Sequence, residues 1–457
     1  MKPLRRILIA NRGEIAVRIL RACRKLGIEA YVVVSEADRD SLAARLADRA
    51  ICIGPPPSRD SYLDVNKVVH VAMAAGCDAL HPGYGFLSER AELPEACAAN
   101  GIVFIGPQAD SMRLMGNKLA ARQFAEECGV PVLPGSTRVE SEEHAAALAG
   151  EVGFPVLLKA AAGGGGRGMK VARDHAELKT AFQTGSAEAQ AAFGDATLYM
   201  EHYIANARHI EVQILADHHG RVLHLGEREC SVQRRFQKII EEAPAALLPQ
   251  ALRTEICTSA VMLAAAANYR NAGTVEYIVD QDAGKFYFLE VNTRLQVEHP
   301  VTEMVTGLDI VCEQIGIASG APLGLTQADV RIAGHAIEVR VNAESPEQGF
   351  RPSPGRLTRW DEPRGAGVRV DTHCGVGYLV PPFYDSMIGK LIVHGADRAA
   401  AVAALERAVA EFAVEGVHTT LPFLGRLLRN PDFVAGNINT RWAEKVLAAE
   451  QDTGRAA

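Results

Sequence analysis

Polar and charged side chains occupy every second position of one segment in the second half of the chain. They are Glu290, Asn292, Arg294, Gln296 and Glu298. Because alternate residues of an extended chain share one face, this spacing predicts a strand with five polar groups on one side. The same period of two is typical of an amphipathic edge strand whose charged face meets water. The residues that lie opposite the segment therefore decide between a functional site and an ordinary surface.

Two apolar runs around this segment predict a β-hairpin. Residues 273–280 and 285–291 read as strands, and residues 281–284 join them as a short turn. In the antiparallel pair that results, Glu276 lies nearly opposite Glu290. Facing carboxylates repel each other unless a cation lies between them, and Mg²⁺ accepts carboxylates together with few other protein ligands. The hairpin therefore predicts a divalent-metal site.

Length and composition are those of an ordinary globular protein and argue against two classes. With 457 residues the chain is long enough for about two to four domains. The net charge of −7 argues against a nucleic-acid-binding protein, because no basic excess is present to neutralise phosphates. No apolar run approaches the roughly 18 residues of a membrane span, and the first residues do not form a signal peptide. We expect a cytoplasmic protein that binds neither nucleic acid nor membrane.

The 9 cysteines are scattered along the chain and form no CxxC pair. Their spacing predicts neither a zinc site nor a disulfide framework. We expect them to be small buried residues in a reducing compartment.

The N-terminal region predicts a parallel sheet. A strand at residues 4–10, a helix at 13–26 and a strand at 30–34 form a βαβ unit, which indicates parallel strands. Further short strands are predicted at residues 50–53, 79–80 and 102–105. The turn after the first strand lacks GxGxxG, so a dinucleotide site is not supported. The region is therefore predicted to be a doubly wound α/β domain that ends near residue 113.

Beyond residue 120 the pattern changes to that of an antiparallel α+β protein. Apolar and polar side chains alternate in residues 209–216, and a turn at 217–220 leads into a strand at 221–226. A third region begins near residue 333. Its strands are predicted at residues 336–341, 368–371 and 391–394, and its alanine-rich helix at 398–414. The chain as a whole thus combines α/β and α+β parts.

A glycine-rich loop lies between two predicted strands, at residues 154–159 and 169–172. Its four successive glycines, at 163–166, allow backbone N–H groups to wrap around an anion. A strand follows where a P-loop would open a helix, so we interpret the loop as a flexible phosphate-binding flap. Lys159 and Lys118 are candidates to meet phosphate as point charges. Taken singly, most glycine-rich runs are structural turns or linkers and most lysines are solvated surface residues.

Residues 199–204 read as a strand that leads into a loop, with apolar and aromatic side chains beside the carboxylate of Glu201. Such a segment can form an apolar slot in which backbone groups and the carboxylate recognise a purine edge. An ordinary strand end in the core has the same composition.

Together these motifs resemble those of the biotin carboxylases, the ATP-grasp subunits or domains of biotin-dependent carboxylases. The similarity covers nearly the whole chain. Besides the glycine loop, it is carried by residues 9–16, 81–89, 241–244, 290–300 and 384–390. Several long motifs in the family's order make this signal highly specific.

The resemblance implies three domains and one reaction. Residues 1–113 would form the N-terminal domain, residues 114–330 the ATP-grasp domain with a mobile lid at about 131–203, and residues 331–447 a C-terminal antiparallel-sheet domain. In the reaction, ATP and bicarbonate give carboxyphosphate, and biotin on a carrier protein is then carboxylated at N1′.

The resemblance also assigns residues to the nucleotide, the metal and bicarbonate. ATP is expected at Lys118, Lys159, Gly165, Gly166, Glu201, His202, Tyr203, Ile204, His209, Gln233, Phe236, Glu276 and Glu290. Mg²⁺ or Mn²⁺ is expected at Glu276, Glu290 and Asn292. Bicarbonate is expected at Lys238, Arg294, Gln296 and Val297.

The catalytic residues implied by the resemblance are Glu298, as general base, with Arg294 and Lys238. Bicarbonate is a poor nucleophile, so a carboxylate that removes its proton and a guanidinium that holds its oxygens are useful together. Arg340 matches a residue that lies near biotin in the family.

Three positions depart from the family pattern. Phe236 replaces a common histidine, and if it contacts the ribose, nucleotide affinity is expected to fall about tenfold. His202 replaces a common lysine at a place where the family contact is made by the backbone. Ala162 replaces a glycine of some members and is expected to stiffen the flap slightly.

The resemblance further implies partners. We expect a biotin carboxyl carrier protein and carboxyltransferase subunits as separate polypeptides, and a homodimer. The activity would be the first half-reaction of an acetyl-CoA or other acyl-CoA carboxylase, as in fatty acid biosynthesis. The sequence does not encode the final acceptor.

Two other functions remain open from the sequence. An ATP-grasp carboxylate–amine ligase would use the same nucleotide residues, although the bicarbonate residues argue against it. A non-catalytic nucleotide-sensing subunit would follow if the altered ribose pocket no longer supported turnover, although the metal and base residues are present.

Overall fold

The computed structural model describes residues 4–136, 138–161 and 169–455. Its N-terminal region contains β1 Arg6–Ile9, α1 Gly13–Lys25, β2 Glu29–Val34, α2 Leu42–Leu46, β3 Arg49–Cys52, α3 Val65–Ala74, β4 Ala79–His81, α4 Glu92–Ala99 and β5 Val103–Phe104. The strands form a parallel sheet in the order β3-β2-β1-β4-β5. The parallel sheet predicted from the βαβ pattern is confirmed.

Side chains of β1 alternate between two hydrophobic cores, one on each face of this sheet. Ile7 and Ile9 pack with Ile15 of α1, whereas Leu8 packs with Val68 of α3. Helices therefore cover both faces, which is the usual state of a parallel sheet and makes the region doubly wound.

Within the described residues, the rest of the chain contains most of the helices and all the antiparallel strands. The central region has α5 Ala109–Gly116, α6 Lys118–Glu127, α7 Glu142–Val152, β6 Val156–Ala160, β7 Lys170–Ala172, α8 His175–Phe193, β8 Leu198–His202, β9 Ala207–Ala216, β10 Val222–Arg234, β11 Gln237–Ala243, α9 Gln250–Ala266, β12 Asn271–Asp280, β13 Lys285–Asn292, α10 His299–Thr306 and α11 Ile310–Ala318. The C-terminal region has β14 His335–Asn342, β15 Glu344–Ser345, β16 Arg351–Pro352, β17 Gly355–Arg356, β18 Arg359–Asp361, β19 Val368–Thr372, β20 Leu379–Val380, β21 Met387–Gly395, α12 Arg398–Glu411, β22 Ala413–Glu415, α13 Leu421–Leu428, α14 Pro431–Ala435 and α15 Trp442–Arg455. Among the helices of the described residues, none combines the length and apolar composition that crossing a bilayer requires.

One antiparallel sheet of eight strands joins the central and C-terminal regions. Its order is β13-β12-β9-β10-β11-β14-β21-β19. At the junction between β11 and β14, Glu241 lies opposite Glu338. The antiparallel C-terminal strands were expected. The three longest, β14, β21 and β19, extend the central sheet, so that the backbone N–H and C=O groups along the edge of β11 form hydrogen bonds with β14. Residues of both regions are therefore brought side by side.

A smaller antiparallel sheet, β7-β6-β8, packs with α7 and α8 within the segment predicted as a lid. The chain enters this unit past residue Gly135, which forms a bridge with Glu201. A Cβ at Gly135 would lie 2.3 Å from the carbonyl oxygen of Met200, so this crossing requires glycine. Gly165 and Gly166 of the predicted flap, together with Ala162, lie outside the described residues.

The alternating polar segment is a strand only in its first part. In the β12–β13 hairpin Glu276 lies opposite Glu290, as predicted. However, β13 ends at Asn292, and α10 begins at His299 with Pro300 in its first turn. The expectation of a continuous strand with five polar groups is wrong, because the chain must leave the sheet before a helix that starts with proline. The residues on the connecting segment are Arg294, Gln296 and Glu298.

Candidate active site

A cleft of about 1130 Å³ brings residues of all three regions together, including Tyr84 and Glu89 from the N-terminal region. The predicted site residues on its walls are Lys118, Lys159, His202, Tyr203, Ile204, His209, Gln233, Phe236, Lys238, Glu276, Glu290, Asn292, Arg294, Gln296, Val297, Glu298 and Arg340. Glu201 is buried against Lys159. Motifs that are far apart in the sequence thus meet in one place.

Lys238 of β11 is the central cation of the site. Its Nζ donates to Glu211 at 2.5 Å, to Glu276 at 3.0 Å and to Glu298 at 2.6 Å. Burial alone would lower the pKa of this lysine, but the carboxylates outweigh burial and raise the pKa well above its ordinary value. Lys238 therefore stays charged and holds carboxylates from three separate elements together.

Glu298, the residue before α10, is fully buried, and each of its carboxylate oxygens faces a cation. Oε1 accepts from Lys238, and Oε2 accepts from Arg340 at 2.9 Å. Burial would raise the pKa of this carboxyl, but the two cations hold the pKa below its ordinary value. The side chain is therefore ionised at neutral pH, which is the state that a general base requires.

Neighbouring side chains orient the guanidinium of Arg294. Nη1 donates to Gln296 Oε1 at 2.7 Å, and Nη2 donates to Asn292 Oδ1 at 3.3 Å. Nε lies 3.2 Å from Oε2 of Glu89, which belongs to the N-terminal region. A planar fork of donors held in this way suits a small planar anion such as a carboxylate or a carbonate.

Hard oxygen donors for a divalent cation converge at the end of the β12–β13 hairpin. Glu276 and Glu290 lie opposite each other, and the Asn292 amide donates to Glu276 Oε1 at 2.7 Å. A lysine balances each carboxylate: Lys238 Nζ lies 3.0 Å from Glu276, and Lys118 Nζ lies 3.2 Å from Glu290. His209 Nε2 lies 2.9 Å from Glu276 as well. Two carboxylates and an amide oxygen are a donor set that Mg²⁺ or Mn²⁺ accepts, so these residues fit the predicted ion.

His209 and Gln233 form a pair on neighbouring strands, and Phe236 lies beyond them at the cleft rim. Gln233 Nε2 lies 2.6 Å from Nδ1 of His209 and donates to the carbonyl oxygen of Cys230 at 2.7 Å. Phe236 and Arg235 form the tip of the β10–β11 hairpin, and both have positive φ. The Phe236 side chain is 55% exposed. The departure from the family pattern therefore lies at the rim and not in the buried part of the cleft.

Two cations occupy the carboxylate of Glu201. Lys159 Nζ contacts Oε2, and Arg122 Nη1 donates to Oε1 at 3.1 Å. The sequence analysis expected this carboxylate to help recognise a purine edge, and in the structure each of its oxygens contacts a cation. Both cations therefore compete with a purine for this carboxylate, whereas the backbone groups of residues 201–204 remain candidates for a purine contact.

Among the charged residues of the site that sequence reasoning missed are Glu89, Arg122, Glu211 and Glu241. Glu211 is fully buried and pairs with Lys238, and Glu241 pairs with Arg340. The three carboxylates each lay within a segment that the sequence analysis had singled out, but a local pattern gives no hint of these pairings. Arg122 follows a predicted phosphate-binding lysine by one helical turn, and this spacing was its only signal.

Three family models match successive parts of the chain. The biotin carboxylase N-terminal domain matches residues 3–112. The ATP-binding domain of the carbamoyl-phosphate synthase L chain matches residues 117–326. The biotin carboxylase C-terminal domain matches residues 338–445.

Similar proteins and structures cover nearly the full chain. Biotin carboxylase 1 of Bacillus subtilis is 51% identical over 442 residues, which are 96% of this chain and 98% of that protein. The structure of a Campylobacter jejuni biotin carboxylase–β-γ-ATP complex has a TM-score of 0.94 at 48% identity and matches 97% of this chain and 99% of its own.

A third similarity is to a solved structure with bound ligands. The biotin carboxylase domain dimer of Hydrogenobacter thermophilus 2-oxoglutarate carboxylase, in complex with MgADP, ADP and bicarbonate, has a TM-score of 0.94 at 44% identity and matches 97% of this chain and 98% of its own. These similarities confirm the predicted fold class. The chain belongs to the biotin carboxylase family, whose members carboxylate biotin in an ATP-dependent reaction.

Proposed function

We propose that the cleft uses ATP and bicarbonate to carboxylate biotin on a carrier protein. The observation that carries the proposal is Glu298, a fully buried carboxylate kept ionised between Lys238 and Arg340. ATP phosphorylates bicarbonate to carboxyphosphate, which breaks down to CO₂ and phosphate. The phosphate takes the proton of biotin N1′, and the nitrogen then attacks CO₂.

Bicarbonate binds beside Glu298 in this proposal. Arg294 and Gln296 hold its oxygens in plane, and Lys238 and the backbone of Val297 complete the site. The carbonyl oxygen of Val297 accepts from the fully buried Lys390 at 2.8 Å, which supports a fixed position for this segment. Because Glu298 is ionised, its carboxylate can accept the proton of bicarbonate.

The nucleotide occupies the other end of the cleft. Lys118 and Lys159 bind phosphate groups, and Gly165 and Gly166 close over them. Residues 201–204 hold adenine through their backbone, with His209 and Gln233 near the ribose and Phe236 at the rim. A bound divalent cation at Glu276, Glu290 and Asn292 supplies positive charge that offsets the phosphate oxygens during transfer.

Biotin approaches Arg340, which already contacts the general base. Its guanidinium donates to Glu241 at 2.7 Å and to Glu298 at 2.9 Å, so the biotin end and the bicarbonate end share one hydrogen-bonded network. Arg294 stabilises the oxygen of the biotin enolate once the N1′ proton has left. This shared network supports successive use of the same charges in both steps.

The wider context belongs to the same proposal. The enzyme works in the cytoplasm as a homodimer, with a biotin carboxyl carrier protein and carboxyltransferase subunits as separate partners. The domains extend over residues 1–113, 114–330 and 331–447, with the lid at about 131–203. The transferase determines whether acetyl-CoA, another acyl-CoA or a keto acid receives the carboxyl group.

Release of ADP, measured with and without bicarbonate, tests the proposal. We expect release to require both bicarbonate and Mg²⁺, and to increase when biotin or a biotinylated carrier is added. Equal phosphate release with another carboxylate in place of bicarbonate would indicate an amine or carboxylate ligase. Nucleotide binding without carboxylation of an authentic carrier would indicate a sensing subunit.

A further inference from the structure

Arg122 of α6 contacts both connections between the body of the protein and the lid segment, residues 131–203. Its Nη2 donates to the carbonyl oxygen of Leu133, where the chain enters that segment. Its Nη1 donates to Oε1 of Glu201, where the chain leaves it, at 3.1 Å. The Arg122 side chain is only 12% exposed. An arginine of the body is therefore fixed at the crossing of the two connections.

The buried carboxylate of Glu201 is shared between this arginine and a lysine. Its other oxygen contacts the Nζ of Lys159 on β6, and the lysine side chain is itself buried on the cleft wall. Arg122 and Lys159 thus lie on opposite oxygens of a single carboxylate. Two cations and one anion leave the cluster with a net positive charge, directly beside the part of the cleft where phosphate is proposed to bind.

This sharing determines what happens when Lys159 moves to a phosphate group. With Arg122 in place, Glu201 keeps a charged hydrogen-bonding partner after the lysine has left. Without Arg122, the same movement would leave a buried carboxylate unpaired, which is strongly unfavourable. The arginine therefore weakens the hold of Glu201 on Lys159 without touching the lysine.

We propose that Arg122 is a positioning residue for the nucleotide, which neutralises Glu201 and so releases Lys159 to a phosphate group. The inference rests on the proposed function, which places Lys159 on the phosphates of ATP. Arg122 acts through Glu201 and makes no contact with the nucleotide itself. The ligand class it affects is therefore the phosphate-bearing nucleotides.

A purely structural role of Arg122 predicts a different result. As a tie between α6 and the Leu133 carbonyl, the arginine would support the whole pocket, so its loss would weaken adenosine and ADP alike. The electrostatic role weakens only ligands that draw Lys159 away from Glu201. The ratio of the two affinities therefore separates the roles.

Calorimetric titration with adenosine and with ADP in the presence of Mg²⁺ measures this ratio. Arg122→Met is expected to weaken ADP about tenfold, as for loss of one charge-assisted hydrogen bond, and to change adenosine by less than about twofold. Arg122→Lys keeps the charge and is expected to recover most of the ADP affinity. Arg173→Met is the matched control, because Arg173 forms an exposed ion pair with Glu177 in the same segment.

A double substitution tests whether the effect passes through Glu201. Glu201→Gln alone is expected to bind ADP at least as tightly as the unsubstituted protein, because Lys159 is no longer held. Arg122→Met added to Glu201→Gln should then cost no further ADP affinity, which a double-mutant cycle records as a coupling between the two sites. The Glu201→Gln measurement stands on its own if Arg122→Met does not fold.

Parallel losses of adenosine and ADP affinity would overturn the inference, as would a full tenfold loss in the Glu201→Gln background or weaker ADP binding by Glu201→Gln alone. Failure of the unsubstituted protein to bind ADP would instead overturn the proposed function. Unchanged ADP binding by Arg122→Met, with normal binding by the unsubstituted protein, would overturn only the role of Arg122.

Discussion

The two ends of the cleft differ in how their charges are buried and paired. At the bicarbonate end the side chain of Lys238 is 12% exposed and that of Glu298 is 1% exposed, and each has more than one opposite charge as a partner. At the nucleotide end the pairing is mixed: Lys159, Arg122 and Glu201 form a buried cluster, but the side chains of Lys118 and Glu290 are 30% and 31% exposed and form one ion pair at 3.2 Å.

This difference indicates which end is organised before the substrates arrive. Groups that stabilise developing charge must be in place before reaction, since reorganising them would add to the barrier. Groups that receive a flexible triphosphate can exchange partners when it binds. Buried charges with several partners are also costly to disturb, whereas exposed ion pairs contribute little. Substitutions at the bicarbonate end should therefore have the larger effects.

The largest effect is expected from Glu298→Gln. The amide cannot accept the bicarbonate proton, so kcat should fall by roughly 10²- to 10⁴-fold, the usual range for loss of a general base. ADP affinity should change little, because Glu298 lies at the other end of the cleft. ADP release in the presence of bicarbonate and biotin measures the first effect and calorimetry the second. A loss of ADP affinity as large as the loss in kcat would contradict the separation of the two ends.

A pair of lysine substitutions compares stability at the two ends. Lys238→Met removes the shared partner of three buried carboxylates and should lower the free energy of unfolding by about 3–5 kcal/mol. Lys118→Met, the matched control, removes one partly exposed ion pair and should cost about 1 kcal/mol or less. Urea denaturation followed by circular dichroism gives both values for the first unfolding transition. Equal losses of unfolding free energy in the two variants would show that the buried ion pairs at the bicarbonate end stabilise the fold no more than the partly exposed pair.

The pH dependence of stability sharpens the same contrast. The folded-state pKa of Glu298 is lowered, so its ion pairs contribute fully above the unfolded pKa of about 4.5 and are lost as the pH falls through the lower folded value. The stability advantage of the unsubstituted protein over Glu298→Gln should therefore be constant from pH 8 to about pH 5 and shrink below that. Thermal melts across this range measure it. An advantage that shrinks already between pH 8 and pH 6 would mean that the folded pKa is raised instead.

The sequence predicted those features that depend on local pattern. The register that places Glu276 opposite Glu290 follows from two alternating strands and a short turn, and it is confirmed. The pattern does not show where a strand ends, so the predicted strand continued past Asn292. In the structure the chain leaves the sheet there and leads into α10. Likewise, the helix predicted at residues 398–414 ends at Glu411, because β22 pairs there with β18, a distant strand that a local pattern cannot reveal.

The metal site at Glu276 and Glu290 and the phosphate-binding lysines were predicted from local pattern, and the bicarbonate, biotin and catalytic residues from the resemblance. The pairing of the charges was predicted from neither. The family motifs named many of the side chains on the cleft wall, but which charges pair depends on how distant segments meet in the folded chain. Arg122 meets Glu201 where the backbone passes close to β8 at Gly135. The sequence analysis placed the Glu201 carboxylate in a purine slot and did not predict its two cationic partners, Arg122 and Lys159.

The smallest effect is expected at the rim, from Phe236→Asn. Phe236 has a φ of 63°, a left-handed conformation that costs an ordinary residue about 1–2 kcal/mol and that asparagine tolerates. Because its ring is half exposed, little burial is lost, and the free energy of unfolding should rise by about 1 kcal/mol. If the ring contacts the ribose, ADP affinity should also rise, by up to about tenfold. Denaturant unfolding and calorimetry measure the two changes.

Phe383→Asn is the control for this substitution, because Phe383 is 51% exposed but is not among the residues with positive φ. A gain confined to position 236 would assign the effect to backbone strain, whereas equal gains would assign it to removal of an exposed aromatic ring. A gain in stability without a change in ADP affinity would place the ring clear of the ribose. The rim would then belong to neither end of the cleft, and the contrast between the two ends would rest on their buried charges alone.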